Sequence, residues 1–182
     1  VAHGHHILMK DALSALRKEL GDSFHIMAGN VATLQGANDL ADWGANSVRC
    51  NIGGGSICST RIQTGHGMPG LETIFECAKT DRQVSIIADG GLKNSGDMVK
   101  ALAAGADAVM CGSVFSGTDE TPGKVIEEQN GTRWKTYRGM ASKEAQVSWR
   151  GKYSSFEGVS TRVPYRGSVT KILQDLERGI RS

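Results

Sequence analysis

Four short apolar runs in this chain each lead into glycine, and they alternate with segments of helical spacing. No other feature restricts the fold as much. The runs Phe24 to Ala28, Asn46 to Ile52, Val84 to Ala88 and Asp107 to Cys111 enter Ala28-Gly29-Asn30, Gly53-Gly54-Gly55-Ser56, Asp89-Gly90-Gly91 and Gly112-Ser113. Between them, Leu8, Leu13, Leu16 and Leu20 recur at helical spacing and Gly21 supplies a stop. Ala37 to Gly44, Gly70 to Lys79 and Gly96 to Ala104 also read as helices. Strands alternating with helices predict a parallel α/β sheet.

A repeat sharpens that expectation. Gly29 and Gly90, Gly44 and Gly105, Ala45 and Ala106, and Val48 and Val109 share one offset, 61 residues (29 to 90), which spans two strand–helix units. Such internal similarity suits a closed barrel of repeated units better than an open sheet with a switch point. After Gly117 the pattern breaks. Thr118 to Thr136 is polar, and Tyr137 to Val163 mixes Gly, Ser, Arg and aromatics without a period, so a mobile arm is expected over 118–167, following a core of 1–117. Over 168–182 the helical period returns, with Val169, Ile172, Leu173, Leu176 and Ile180 on one face.

Composition narrows the partners. A net charge of +2, with Lys and Arg dispersed among acids, argues against nucleic acid or a membrane surface. No apolar run approaches the roughly 18 residues of a membrane span. Cys50, Cys58, Cys77 and Cys111 lack metal-type spacing and do not read as a disulfide framework, which favours a reducing cytoplasm. Val1 to His6 reads as the end of a strand and its loop with no strand before it, so the chain is expected to be a fragment of a longer product. His3, His5 and His6 on that loop lack a fixed fourth ligand, and no metal is expected there.

In parallel α/β folds the loops after the strand ends converge on the ligand. Ser56, Gly91, Gly112 and Ser113 can together wrap a phosphate with backbone donors and hydroxyls. Asp89, just before its glycines, can accept hydrogen bonds from the hydroxyls of a ribose, or can cap a helix. Two residues past Ser56 stands Cys58, either a nucleophile held beside the same bound molecule or a buried thiol in a Gly-rich turn.

Taken together and in order, Gly-Ser-Ile-Cys-Ser-Thr-Arg (55–61), Ile-Ala-Asp-Gly-Gly (87–91), Cys-Gly-Ser (111–113) and Tyr137-Arg138-Gly139-Met140 resemble the IMP dehydrogenase/GMP reductase family. Ala28 to Thr33 and Glu157-Gly158 through Val163-Pro164-Tyr165 extend the resemblance nearly end to end. It implies the second half of a (β/α)8 TIM barrel, about four strands, with a C-terminal flap and helix. A full barrel needs about 200 to 250 residues, and 182 with a long arm cannot close one.

The resemblance also implies roles. Cys58 matches the nucleophile that attacks purine C2, and Thr60 the residue assisting entry or loss of the group there. Ser56, Gly91, Gly112, Ser113 and Tyr137 match phosphate contacts, with Gly90 beside them, and Asp89 matches the ribose contact. Gly139, Met140, Glu157 and Gly158 match positions that hold the base. His3 and Gly4 correspond to the loop facing the nicotinamide of NADP(H) or NAD. The carbonyls of Gly53, Gly55 and Cys58 match those that bind K⁺, and the family's barrels associate as homotetramers.

The resemblance implies one of two chemistries, the first being the expected one and the second its alternative, and both pass through a thioether at C2. One is NADPH-dependent reductive deamination of GMP to IMP and ammonia; the other is NAD-dependent oxidation of IMP to XMP, with a flap Arg-Tyr pair as base. Here the nearest approach to that pair is the interrupted Arg150-Gly151-Lys152-Tyr153. Thr64 to Gly67 and Gly179 to Ser182 look more like the reductase, whereas Arg162 to Tyr165 is closer to bacterial dehydrogenases. The reductase's ammonia-handling glutamate follows its serine directly; here Lys143 intervenes between Ser142 and Glu144. Other readings are an inactive half-barrel that only binds phosphate ligands, and a flavin-binding barrel, which the Cys loop argues against.

Overall fold

The computed structural model describes residues 1–182. Four parallel strands, β1 (Met27–Val31), β2 (Ser47–Cys50), β3 (Ser85–Asp89) and β4 (Ala108–Met110), lie side by side in chain order. Preceding or joining them are α1 (Ile7–Leu20), α2 (Leu34–Asp42), α3 (Thr60–Thr64), α4 (Gly70–Cys77) and α5 (Ser95–Ala103). The parallel sheet is the one the alternation predicts, and it forms half of a (β/α)8 barrel, as the resemblance implies.

The core sits between the sheet and its helices. Val48 and Cys50 on β2, Ile86 and Ala88 on β3 and Ala28 on β1 pack against Ala37 and Leu40 of α2, Ile74 and Cys77 of α4 and Ala101 of α5. Because alternate strand residues face opposite ways, Arg49 and Asp89 fall on the other face. Arg49 lies opposite Ile87 in the β2–β3 register, which puts Asp89 on its diagonal, within reach of a long side chain. Leu40 is fully buried at the centre of the cluster. Leu40→Ala is expected to destabilise the fold by about 2 to 5 kcal/mol, read as a drop in thermal or urea midpoint.

The 61-residue repeat (29 to 90) has a structural counterpart. After α2 and α5 the chain makes the same turn: Gly44 and Gly105 take φ of +108° and +109°. Ala45 and Ala106 then donate back to Leu40 and Ala101 at 3.0 and 3.1 Å. Left-handed backbone favours glycine there, and there is no room for a side chain, since a Cβ would stand 2.7 Å from Arg17 Cγ at one turn and 2.5 Å from Ala78 Cβ at the other.

Helix α2 begins three residues before the expected Ala37, because the Thr33 hydroxyl caps it by accepting from Gly36 N at 3.1 Å. The larger departure is in 118–167, where no periodic structure is expected. That segment holds an antiparallel sheet of β5 (Ile126–Glu127), β6 (Arg133–Arg138) and β7 (Ser160–Pro164), and a helix α6 (Lys143–Arg150) capped by Ser142. Lys135 on β6 is only 3% exposed and donates to the carbonyl of Thr118 at 2.8 Å, pinning the sheet to the end of the barrel segment. Arg166 adds a bond to Val114 O at 2.8 Å. The closing helix α7 (Thr170–Arg181) packs on α5. No helix is long and apolar enough to cross a membrane.

Candidate active site

At the C-terminal end of β2 the chain leaves the sheet as a tight loop. Gly53 to Ser59 then deliver Cys58 to the mouth of a cleft of about 460 Å³. The flap closes onto this loop through backbone pairing. Ser59 N donates to Glu157 O and Val159 N to Ile57 O, both at 3.0 Å, while Glu157 N donates to Ala141 O at 3.1 Å. An extended stretch, 157–159, is thus held between the Cys loop and Ala141–Ser142. Gly158 at its centre is closely packed, as a Cβ would lie 3.1 Å from Ser142 N.

This pairing builds a hydrogen-bond relay. Cys58 Sγ lies 3.2 Å from Thr60 Oγ1, and the Thr60 hydroxyl donates to Glu157 Oε2 at 2.6 Å. Thr60 is 1% exposed, so water competes little for its hydroxyl, and at 2.6 Å its bond to the Glu157 carboxyl group is short. The arrangement can move a proton between a thiol and a carboxylate through one hydroxyl.

The expected phosphate contacts also converge. Ser56 Oγ is 3.3 Å from Tyr137 Oη, and a Cβ on Gly112 would lie 3.3 Å from the same phenol oxygen. Gly90 and Gly91 rest directly on Gly55 and Gly54, with 3.4 and 3.2 Å from an added Cβ to Gly55 Cα and Gly54 O. Ser113 opens the 3₁₀ turn Ser113–Phe115 immediately after Gly112.

Asp89 lies on the inner face rather than capping a helix. Its Oδ2 accepts from Asn30 Nδ2 at 2.8 Å and from Arg49 Nη2 and Nε at 2.7 and 3.2 Å. The other carboxylate oxygen accepts no protein hydrogen bond, which suits a ligand hydroxyl.

On the remaining side of the cleft stand His3, Met140, Gln146, Trp149 and Arg150, with Cys58, Thr60 and Glu157. Met140 is 72% exposed and Gly139 packs on Ile57. Gly4 is buried against β1, its N donating to Asn30 O at 2.8 Å, and so sets the path of His3. The three N-terminal histidines have separate partners: His3 meets the His66 ring edge-on at 5.3 Å, His5 bonds Asp39 and His6 caps α1.

Glu144 is not brought to Cys58. It is exposed in the first turn of α6, two residues from Gln146 and hence on the opposite side of that helix from the cleft. The carboxylate that meets Thr60 is that of Glu157, read from sequence only as a contact to the base. Sequence reasoning also missed Asn30 and Arg49 as holders of Asp89. It missed Gln146 as well, whose amide donates to Ala141 O and Ser155 O and ties the flap together. Asn30 stands in a quoted motif, but nothing local marks Arg49, whose partner lies 40 residues on.

Carbonyls of the Cys loop are suited to K⁺ in part. Those of Gly53 and Cys58 accept no hydrogen bond, whereas that of Gly55 accepts from Cys58 N at 3.1 Å. Three carbonyls supply fewer oxygens than a K⁺ coordination shell needs, so an ion held there would require further ligands.

The four thiols differ sharply in surroundings. Cys50 and Cys77 are fully buried against each other, and their contact and burial push the Cys50 thiol well above its ordinary range. Cys111 is also raised, by burial first and then by Asp89. Only deprotonated, accessible thiols alkylate readily. Iodoacetamide at neutral pH is therefore expected to label Cys58 at least about tenfold faster than the other three, checked by peptide mass spectrometry.

Against known proteins, the chain is 45% identical over 198 residues to an inosine-5'-monophosphate dehydrogenase of Nitrosopumilus maritimus, covering all of this chain and 41% of that protein. It is 41% identical over 195 residues to a GMP reductase of Leishmania major, covering all of this chain and 39% of that one. A solved structure of a cysteine-to-alanine variant of Trypanosoma brucei GMP reductase with guanosine 5'-monophosphate superposes with a TM-score of 0.93 at 38% identity, covering 100% of this chain and 39% of that chain. The chain thus spans about two-fifths of the length of these relatives. The family model described as the IMP dehydrogenase / GMP reductase domain matches residues 1–182, and this chain belongs to that family.

Proposed function

We propose that the protein containing this chain is a purine nucleotide oxidoreductase that reductively deaminates GMP to IMP and ammonia, with Cys58 as covalent nucleophile. The observation that carries the reading is the Cys58–Thr60–Glu157 relay beside a cradle of Ser56, Gly112 and Tyr137. In that reading the cradle and Gly91 and Ser113 hold the phosphate, the unshared oxygen of Asp89 takes a ribose hydroxyl, and Gly139, Met140 and Gly158 flank the base. The trypanosome reductase variant that carries guanosine 5'-monophosphate supports the same class of ligand.

Sulfur bonds to C2 as the bond from C2 to the exocyclic amine breaks. The thiol proton passes by way of Thr60 and Glu157 to the departing amine, which leaves as ammonium after taking one more proton from solvent. When bound, NADPH supplies the hydride that becomes the C2–H of IMP. Cleavage of the C–S bond returns its electron pair to sulfur, and reprotonation restores the thiol. The residues that would face the nicotinamide are His3 and Trp149, whose flat rings on the open side of Cys58 suit a planar partner. K⁺ at the Cys-loop carbonyls, a cytoplasmic location and a homotetramer belong to the same reading.

The dehydrogenase reading needs a flap Arg-Tyr pair to activate water after oxidation of IMP. Arg150 does line the cleft, and of the two relatives named above the dehydrogenase has the higher identity; both favour it. The Arg150 guanidinium, however, stacks on Trp149 at 4.1 Å, and Tyr153 lies under Lys143 Nζ at 4.5 Å, so the two do not act as a pair. The full-length protein is to be incubated with GMP plus NADPH and separately with IMP plus NAD, following absorbance of the reduced cofactor. Consumption of NADPH with GMP is the expected result. Production of NADH with IMP in its place would make the protein a dehydrogenase, and silence in both would leave a binding module.

A further inference from the structure

Asn51 is the only non-glycine residue with positive φ, at +119°, and it is 6% exposed. Glycine would adopt that backbone without strain, so the asparagine must return something for the cost. It joins three strand ends at once. Its N–H donates to Val31 O at 2.9 Å beyond β2, and its carbonyl accepts from Asn30 Nδ2 at 2.9 Å. Its side-chain Nδ2 donates to Asp89 O at 2.9 Å and to Gly90 O at 3.3 Å. The carboxamide also lies flush on the Cys loop, where a Cβ on Gly54 would come within 2.1 Å of Nδ2. Its Oδ1 is buried without a partner, so the contacts are made by the donor end alone.

A glycine could make the two backbone bonds. Only the side chain ties the carbonyls of Asp89 and Gly90 to the root of the Cys loop. We propose that Asn51 is a positioning residue that locks the Cys58 loop and the Asp89-Gly90-Gly91 loop into one rigid anchor, fixing the thiol relative to the ribose and phosphate contacts before substrate arrives. The nucleotide part of this claim rests on the function proposed above; the locking does not.

Two variants of the full-length protein separate locking from turn-filling. Asn51→Gly relieves the backbone and removes the clamp, whereas Asn51→Asp keeps size and tolerance of the turn but places an acceptor against two carbonyls. Hydrogen–deuterium exchange of peptides spanning 53–58 and 90–91 reads the lock, and the IMP concentration that half-protects Cys58 from iodoacetamide reads the anchor. In both variants exchange is expected to rise about tenfold in both loops and the IMP midpoint about tenfold, the scale of a lost hydrogen bond or two. The melting temperature of Asn51→Gly should stay within a few degrees of the parent. If Asn51→Gly keeps exchange and IMP midpoint within twofold of the parent, Asn51 is a turn residue and the proposal falls. Failure of IMP to protect the parent would instead remove the nucleotide reading, and exchange would still decide whether the loops are locked.

Discussion

Cys58→Ala is expected to lower GMP-dependent NADPH oxidation by at least about 10⁴-fold while leaving nucleotide binding within a few-fold of the parent. The size follows from the role. A nucleophile that forms the only covalent link to C2 cannot be replaced by water within the relay, and 10⁴-fold corresponds to about 5.5 kcal/mol of lost transition-state stabilisation. Binding survives because the cradle of Ser56, Gly112 and Tyr137 and the Arg49–Asp89–Asn30 cluster are built without the sulfur. Folding survives too, since Cys58 is half-buried and its one side-chain hydrogen bond is to Thr60. Steady-state turnover together with equilibrium binding of GMP checks both halves. Turnover above about 1% of the parent's would remove Cys58 from the chemistry.

Glu157→Gln is the second large effect, with an expected loss of about 10² to 10³ in kcat and a change in KM of no more than a few-fold. The amide preserves the shape of the side chain and leaves untouched the main-chain pairing of 157–159 with the Cys loop. It can still accept from the Thr60 hydroxyl, but it cannot take up a proton and hand it on. A residue that only gripped the base would behave in the opposite way, raising KM at constant kcat. That split distinguishes the relay drawn from the 2.6 Å contact to Thr60 from the base contact that the resemblance alone suggests. Unchanged kcat in Glu157→Gln would break the relay.

The barrel segment was readable from sequence because its signals are local. Apolar runs of the right length, helical spacing and glycine at the turns each report the backbone around them, and the two turns at Gly44 and Gly105 adopt the same geometry. The flap was not readable because its buried positions are not apolar. On β6 the most buried residue is Lys135, satisfied by the Thr118 carbonyl, so the strand's alternation runs against hydropathy. On α6 the buried residues are Ala145 and Gln146, which leave no apolar stripe to count. Glu144 matches the reductase's glutamate only approximately, with Lys143 intervening after Ser142, and two positions from Gln146 along α6 it points to a different side.

By itself, then, the sequence determined a half-barrel of parallel strands, a Gly-rich loop presenting Cys58, and the family to which these motifs point. Only the tertiary structure decided which carboxylate meets the thiol's partner, which cation holds Asp89, and that Asn51 binds three strand ends together. The reason is range. A turn is dictated by the residues within it, but Thr60 and Glu157 stand 97 positions apart and meet only when two backbone bonds seat the flap on the Cys loop. No propensity or period in either segment encodes that pairing.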